Sequence, residues 1–351
     1  MDKFLTAGDE LGMKIQEQSV TLFNRLQKLD VDRLGMPYHC LEYFKGSHFK
    51  RLFFSIETSA HLLYRSIKTS GKKLEDTIIM DYGAGVGTLY TLAKMIGCKQ
   101  VIYNDHLEDW KTSAQLIAEA IEVRVDEYIT GDIEETLLQL SRKNIRCTII
   151  TSRNVLEHIY KLDKFFTAVA EKQPTALVYS STTANYKNPG SRIKHKRWHE
   201  KWEKIFLPKR EEMIEAMAPN LSAEKRTKLA IVTRGRAMQD LTDSVNLYTH
   251  SGKYPVVVAE GSNTCDPENG VWFENMLSFD TYRKLIGKLH YSVGFEPGFW
   301  DTHYQKNWKN VMAKILNRLI LSNKELGFQI APFIYVIAKP NSDSLKSQAG
   351  K

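Results

Sequence analysis

No stretch of this sequence approaches the roughly 18 consecutive apolar residues of a membrane helix, so a spanning segment is not expected. The first residues, "MDKFLTAGDELGMK", mix acids with bases and lack an apolar signal core. Together these absences predict a cytoplasmic protein. Cysteine is scarce: Cys40, Cys98, Cys147 and Cys265 are the only four among 351 residues, and they form no CxxC pair. Their spacing supports neither a zinc site nor a disulfide framework, and buried free thiols are expected instead. No internal repeat is visible. What the sequence has in excess is positive charge, a net +8. That surplus suits an anionic partner, whether nucleic acid, a phosphorylated substrate or a membrane surface, or else a plain solvated basic surface. The remaining composition, 42% hydrophobic and 26% charged, is that of a globular chain long enough for one large domain or two small ones.

Apolar residues recur at three- and four-residue steps in "MKIQEQSVTLFNRLQKL" and in "FKRLFFSIETSAHLLYRSI". This predicts helices over residues 1–70, interrupted at Pro37 and Gly46. From residue 77 short apolar runs alternate with amphipathic ones. "TIIMDYG", "QVIYND", "VDEYITGD", "RCTIITS" and "TALVYSST" read as five strands with helices between them. Such alternation argues for a parallel sheet covered on both faces. After the fifth strand the pattern breaks, and residues 185–255 read as a helical insertion that is very basic at its start. It resumes with a helix in "SFDTYRKLIGKLH", a strand in "YSVGFEPGFWD", a helix in "WKNVMAKILNRLILSNKE" and a last strand in "APFIYVIAKP". The expected organisation is an N-terminal helical cap (1–70), an α/β domain (71–340) bearing the insertion, and a flexible tail (341–351).

The stretch with the most chemistry is "IIMDYGAGVGTLY", residues 78–90, where a strand ends in Asp81 and glycines stand at 83, 85 and 87. Glycines at a strand-to-helix turn let the backbone come close to a ligand. A dinucleotide-type G-x-G-x-x-G would need glycine at 88 or 90, where Thr88 and Tyr90 stand, and no GK[ST] follows, which excludes a P-loop. The pattern Asp81, Gly83, Gly85, Gly87 resembles motif I of the class I S-adenosylmethionine-dependent methyltransferases. Further matches follow in order: Asp105 ends the second strand, 18 residues past Gly87; "TGDIEE" follows the third; "NVLEHI" follows the fourth. The resemblance covers 77–182. It implies a Rossmann-like, doubly wound, mostly parallel seven-stranded sheet, with "APFIYVIAKP" as the terminal antiparallel strand. It also implies that S-adenosyl-L-methionine is the cofactor. Asp81 would orient the amino-acid end, the glycine turn would offer backbone donors, Asp105 would accept from the ribose hydroxyls, and Asp132 would receive the adenine amino group beside Ile133.

The acceptor is less legible. Base-amine enzymes of this family carry [DN]PP[YF] after the fourth strand, where this chain has "SRNVLEH", and no cysteine follows a proline as a cytosine C5 enzyme requires. "NVLEH" is commoner in enzymes acting on small molecules, lipids and sugars, so the resemblance implies a small-molecule or saccharide acceptor, methylated at oxygen. His158 is the candidate base and Asn154 the candidate shaper of the pocket near the methyl group. The basic run "RIKHKRWHEKWEK" holds Arg192, Lys194, Lys196, Arg197, Lys201 and Lys204. It reads as a lid whose bases would hold an anionic acceptor. His195, Trp198 and His199 are its candidate substrate contacts, with Tyr38 from the N-terminal helices. Tyr43 and His48 of the same N-terminal segment are candidates for covering the cofactor cleft. HxxxH with no further ligand makes no metal site, and none is expected. The polar loop around Trp272 and Glu274 reads first as an ordinary turn, and otherwise as a second contribution to the pocket. Two alternatives stay open: an RNA methyltransferase that uses the basic insertion, and an adaptor that keeps the fold without the cofactor.

Overall fold

The computed structural model describes residues 3–258 and 260–341, so the expected tail lies outside the described residues from 342 onward. Helix α1 (Glu10–Gln27) starts where the Asp9 carboxylate accepts from Gly12 N at 2.9 Å, and it buries Ile15, Ser19, Leu22 and Leu26, one helical face. Pro37 and Gly46 do interrupt the run. α2 (Tyr38–Tyr43) begins directly after Pro37, and Gly46 lies in a single π-type turn, Phe44–His48. A short 3-10 turn then leads into α3 (Leu52–Ser70), which Gly71 ends at φ +68°.

The sheet is built from β1 (Ile78–Tyr82), β2 (Gln100–Asp105), β3 (Glu127–Thr130), β4 (Ile149–Arg153) and β5 (Leu177–Thr182), then β6 (Tyr291–Pro297) and β7 (Ile334–Pro340). Between them lie α4 (Leu89–Met95), α5 (Glu108–Ala120), α6 (Ile133–Arg142) and α7 (Leu162–Lys172), and later α11 (Phe279–Gly287), α12 (Asn307–Ser322) and α13 (Lys324–Ile330). The strand order is β3-β2-β1-β4-β5-β7-β6, and only β7 runs against its neighbours. The order reverses between β1 and β4, and the C-terminal ends of those strands are where such sheets open a ligand crevice. The chain is thus α/β, doubly wound and mostly parallel.

The strands read as continuous apolar runs because both faces are covered. Along β2, Val101 and Tyr103 join a core with Ile15, Leu22, Ile56 and Leu63, while Ile102 joins the opposite core with Leu137, Phe166 and Tyr282. α1 and α3 therefore share the core of the sheet.

The insertion is α8 (Pro189–Met217), α9 (Ala223–Val232) and α10 (Met238–Ser251). α8 starts where Asn188 Oδ1 accepts from Ser191 N at 3.1 Å, with Pro189 in the first turn. The three helices enclose a small core of Ile214, Leu229, Leu241, Val245 and Tyr248. The structural unit extends past residue 255, because the polar loop that follows folds back on α8: Thr264 N donates to His199 Nδ1 at 3.1 Å. All four cysteines are buried and free. Among the described residues no helix is long and apolar enough to cross a membrane.

Candidate active site

The glycine turn joins β1 to α4, and its three glycines meet three different demands. Gly83 adopts φ +67°, and a Cβ there would lie 2.7 Å from a Val155 methyl of the loop after β4. Gly85 adopts φ +51° with open space where a side chain would point. A Cβ at Gly87 would press on the Ala84 carbonyl at 2.8 Å. The turn lines a cavity of about 500 Å³ together with residues from α3, β4 and the loops beyond β4 and β5. The cavity lies at the C-terminal ends of β1 and β4, at the reversal of strand order.

Asp81 sits buried at the end of β1, where its Oδ2 accepts from Tyr90 N at 3.1 Å. Burial pushes its pKa up to about 7, against the opposing charge of Arg153 and that hydrogen bond. Asp105, buried at the end of β2, accepts from Gly85 N at 2.9 Å and from Leu107 N at 3.3 Å. It fixes the glycine turn onto β2 and stands behind the cavity rather than in its wall. Asp132 is exposed and caps α6, accepting from Glu135 N at 2.9 Å; Ile133 is buried in the core beneath. Neither lines the cavity.

Arg153 is the residue that sequence reasoning missed. Its guanidinium lies in the cavity wall, and Nη1 donates to Ser55 O at 2.6 Å and Thr58 Oγ1 at 3.1 Å. Burial lowers its pKa, and the charge of Asp81 works the other way. The triplet "SRN" at the end of β4 was the only local signal, and nothing in it showed that α3 would close over the arginine. Tyr43, His48 and Trp110 complete the wall, Tyr43 and Trp110 in edge contact at 5.2 Å. His48 is held neutral by burial, which takes its pKa down to about 3, with Arg153 adding to the effect.

Beyond β4, Asn154 takes φ +58° and lines the cavity. His158 also lines it. Its Nδ1 is 2.9 Å from the carbonyl of Trp272, a partner that can only accept, so Nδ1 carries the proton and Nε2 is left as the acceptor nitrogen. The neighbouring Glu157 is fully buried and accepts from Thr183 N and Oγ1 at 3.0 and 3.1 Å. Burial raises its pKa, against the charge of His158.

A second cavity, about 900 Å³, shares Arg51, Phe54, Thr183 and Phe333 with the first and is closed by the start of α8, by Trp300 and Tyr304, and by Glu274. Glu274 holds φ +56°, costly for a non-glycine residue, and its carboxylate pairs with His195 Nε2 and accepts from Thr183 Oγ1 at 3.2 Å. Burial works against its ionisation, yet His195 and Thr183 hold its pKa below the usual carboxylate value. The polar loop is therefore part of the pocket, not an ordinary turn.

The other insertion candidates separate. His195 reaches the second cavity. His199 does not line it: its Nε2 donates to the Glu274 carbonyl at 3.0 Å and its Nδ1 accepts from Thr264 N, so both nitrogens are committed to backbone and the residue positions Glu274. Burial lowers its pKa to about 4. Trp198 packs edge-on against Phe273 and His195, outside the cavity wall. Tyr38 is 77% exposed and borders neither cavity. Of the six bases in the lid run, only Lys194 lines the second cavity; the helical period carries Lys196, Arg197, Lys201 and Lys204 away from it. Among the described residues no cluster of three or more His, Cys, Asp or Glu could hold a metal ion.

No protein-family model matches the chain, and no curated protein matches its sequence. Solved structures share its chain trace only distantly. An S-adenosylmethionine-dependent methyltransferase from Clostridium acetobutylicum aligns at 10% identity and TM-score 0.45, over 86% of this chain and 99% of that one. One from Mesorhizobium loti aligns at 11% and 0.39, over 79% and 97%. An O-methyltransferase family protein from Burkholderia thailandensis aligns at 9% and 0.37, over 96% and 74%. With these three TM-scores below 0.5, the likeness says nothing about activity.

Proposed function

We propose that the protein is an S-adenosylmethionine-dependent methyltransferase of class I type acting on a small-molecule or saccharide hydroxyl. One observation carries the reading: the Asp81-Gly83-Gly85-Gly87 turn opens onto a cavity whose walls hold the cation Arg153 and one buried acid, Asp81, with Arg51 where the second cavity begins. That pair matches a zwitterionic amino-acid tail, and the open face of Gly85 leaves room where a side chain would otherwise stand. A phosphate ligand would gain nothing from the acid. When bound, the cofactor supplies an electrophilic methyl group on a sulfonium sulfur.

The residues around it divide the work. Arg153 and the turn amides hold the carboxylate end and Asp81 the ammonium end. Asp105, already bonded to Gly85, lies at the end of β2 where a ribose would be received, and Asp132 and Ile133 stand one strand further on for the base. The acceptor occupies the second cavity, and its hydroxyl comes to the junction at Thr183. There His158 Nε2 takes the hydroxyl proton, while Glu274 orients the acceptor through its free carboxylate oxygen. Most of the rate would come from positioning in a closed site.

Titration calorimetry with S-adenosylmethionine tests the reading. Binding in the micromolar range is expected; no heat at millimolar ligand would remove it. The RNA reading draws on the exposed bases of α8, and methyl incorporation into total RNA that disappears after nuclease treatment would favour it.

A further inference from the structure

The face of α12 turned to solvent is as apolar as the face it buries. Ala313 and Ile320 point inward and are buried. On the opposite side Trp308, Val311, Met312, Ile315 and Leu319 are 64, 57, 48, 44 and 41% exposed. Their spacing of three, one, three and four residues places all five in one stripe along the helix. The stripe runs from Trp308 to Leu319, about 17 Å along the helix at 1.5 Å per residue. Isolated exposed apolar side chains are ordinary, but a contiguous stripe of five on one helix marks a contact surface.

The charges around it choose the partner. No acid occurs between Asp301 and Glu325, while Lys306, Lys309, Lys314, Arg318 and Lys324 all fall in that interval. On the helical wheel Lys309 borders one side of the stripe, and Arg318 and Lys314 border the other. Bases on both edges of an apolar face, with a tryptophan near one end, suit a helix lying in the plane of an anionic bilayer: the apolar side chains enter the acyl boundary and the long basic ones reach the headgroups. The opposite face stays occupied by the protein's own core, so nothing must unfold for the helix to bind.

We propose that α12 is an interfacial helix that docks the protein on anionic lipid bilayers. The consequence for the cavities is geometric. Leu316 of the same helix lines the second cavity, so a bilayer against the stripe would lie about one helix diameter, ~10 Å, from that cavity.

Co-sedimentation of the full chain with vesicles tests the proposal without any turnover, so its outcome is independent of the methyl-transfer reading. The protein is expected to pellet with vesicles of phosphatidylglycerol mixed with phosphatidylcholine, and roughly tenfold less with phosphatidylcholine alone or at about 1 M salt. The double variant Trp308→Glu/Ile315→Glu and the triple variant Lys309→Gln/Lys314→Gln/Arg318→Gln should each weaken anionic-vesicle binding by roughly tenfold or more. All five side chains are at the surface, and unchanged circular dichroism and melting temperature would confirm that the variants fold. Failure to pellet with anionic vesicles would overturn the proposal, as would pelleting that the variants leave unchanged. A homodimer in light scattering that Ile315→Glu dissolves would overturn it too, by giving the stripe to a second copy of the chain.

Discussion

His158 and Asp81 show how single residues acquire chemistry from one or two neighbours. The carbonyl of Trp272 fixes the His158 tautomer and leaves Nε2 as the basic nitrogen. His158→Ala is expected to lower kcat by about a hundredfold or more with cofactor affinity unchanged; equal turnover in a radiolabelled methyl assay would remove it as the base. Asp81 carries a pH signature. Burial holds its pKa near 7, well above that of an exposed carboxylate, so the folded protein without ligand keeps the proton between about pH 4 and 7. An ammonium group beside it favours the ionised form. Affinity for S-adenosylmethionine should therefore rise as pH increases toward 7 and then level off, with proton release visible by calorimetry in buffers of different ionisation enthalpy. Asp81→Asn should flatten that dependence as well as weaken binding.

Among the elements, α8 makes the largest difference between sequence and structure. Its sequence advertises charge, yet most of that charge faces water, and the residues that matter to the pocket are the two histidines that the helical period turns inward. His199 supports the strained Glu274 through the backbone and His195 pairs with its carboxylate. Further along the same helix the buried Arg210 pairs with Glu203 and donates to the Ala230 carbonyl at 3.0 Å, joining α8 to α9. Truncating Arg210 removes one cation from Glu203 and leaves it Arg234, at 3.5 Å. Arg210→Ala is expected to destabilise the insertion by about 3 kcal/mol, read from urea unfolding. Arg210→Met, which keeps the volume but not the charge, should lose less, since Glu203 keeps Arg234 at 3.5 Å.

For the whole molecule, buried neutral histidines set the acid limit. His48 and His61 have pKa values near 3 and His199 near 4, each lowered first by burial. The unfolded chain takes up those protons near pH 6.5. Their contribution is present above that value and is lost as pH falls through the window from about 6.5 to 3–4. Asp81 and Glu157, both raised by burial, and His106, raised by its hydrogen bond to Asp105, act in the opposite sense. Measured by chemical unfolding between pH 6.5 and 4, His48→Gln should reduce the loss of stability on acidification by about 1.4 kcal/mol per pH unit, the equivalent of one proton. An unchanged slope would mean that His48 is already charged in the folded protein.

The sequence by itself determined the sheet and the turn. Strand alternation, buried apolar runs and the Asp81-Gly83-Gly85-Gly87 spacing are local patterns, and each survives in the structure because it follows from backbone geometry over a few residues. Tyr43 and His48 were legible as lining candidates for the same reason, lying on a short segment beside the cleft. Tertiary structure alone decided the rest. Arg153 gained its place because α3, nearly a hundred residues earlier, wraps its guanidinium with Ser55 and Thr58. Glu274 became a pocket residue because the loop after α10 folds back onto α8, and Tyr38 lost that role because α2 turns it to solvent. Contacts between residues far apart in the chain leave no periodic trace in sequence, so the glycine turn could be read and the residues brought to it from elsewhere could not.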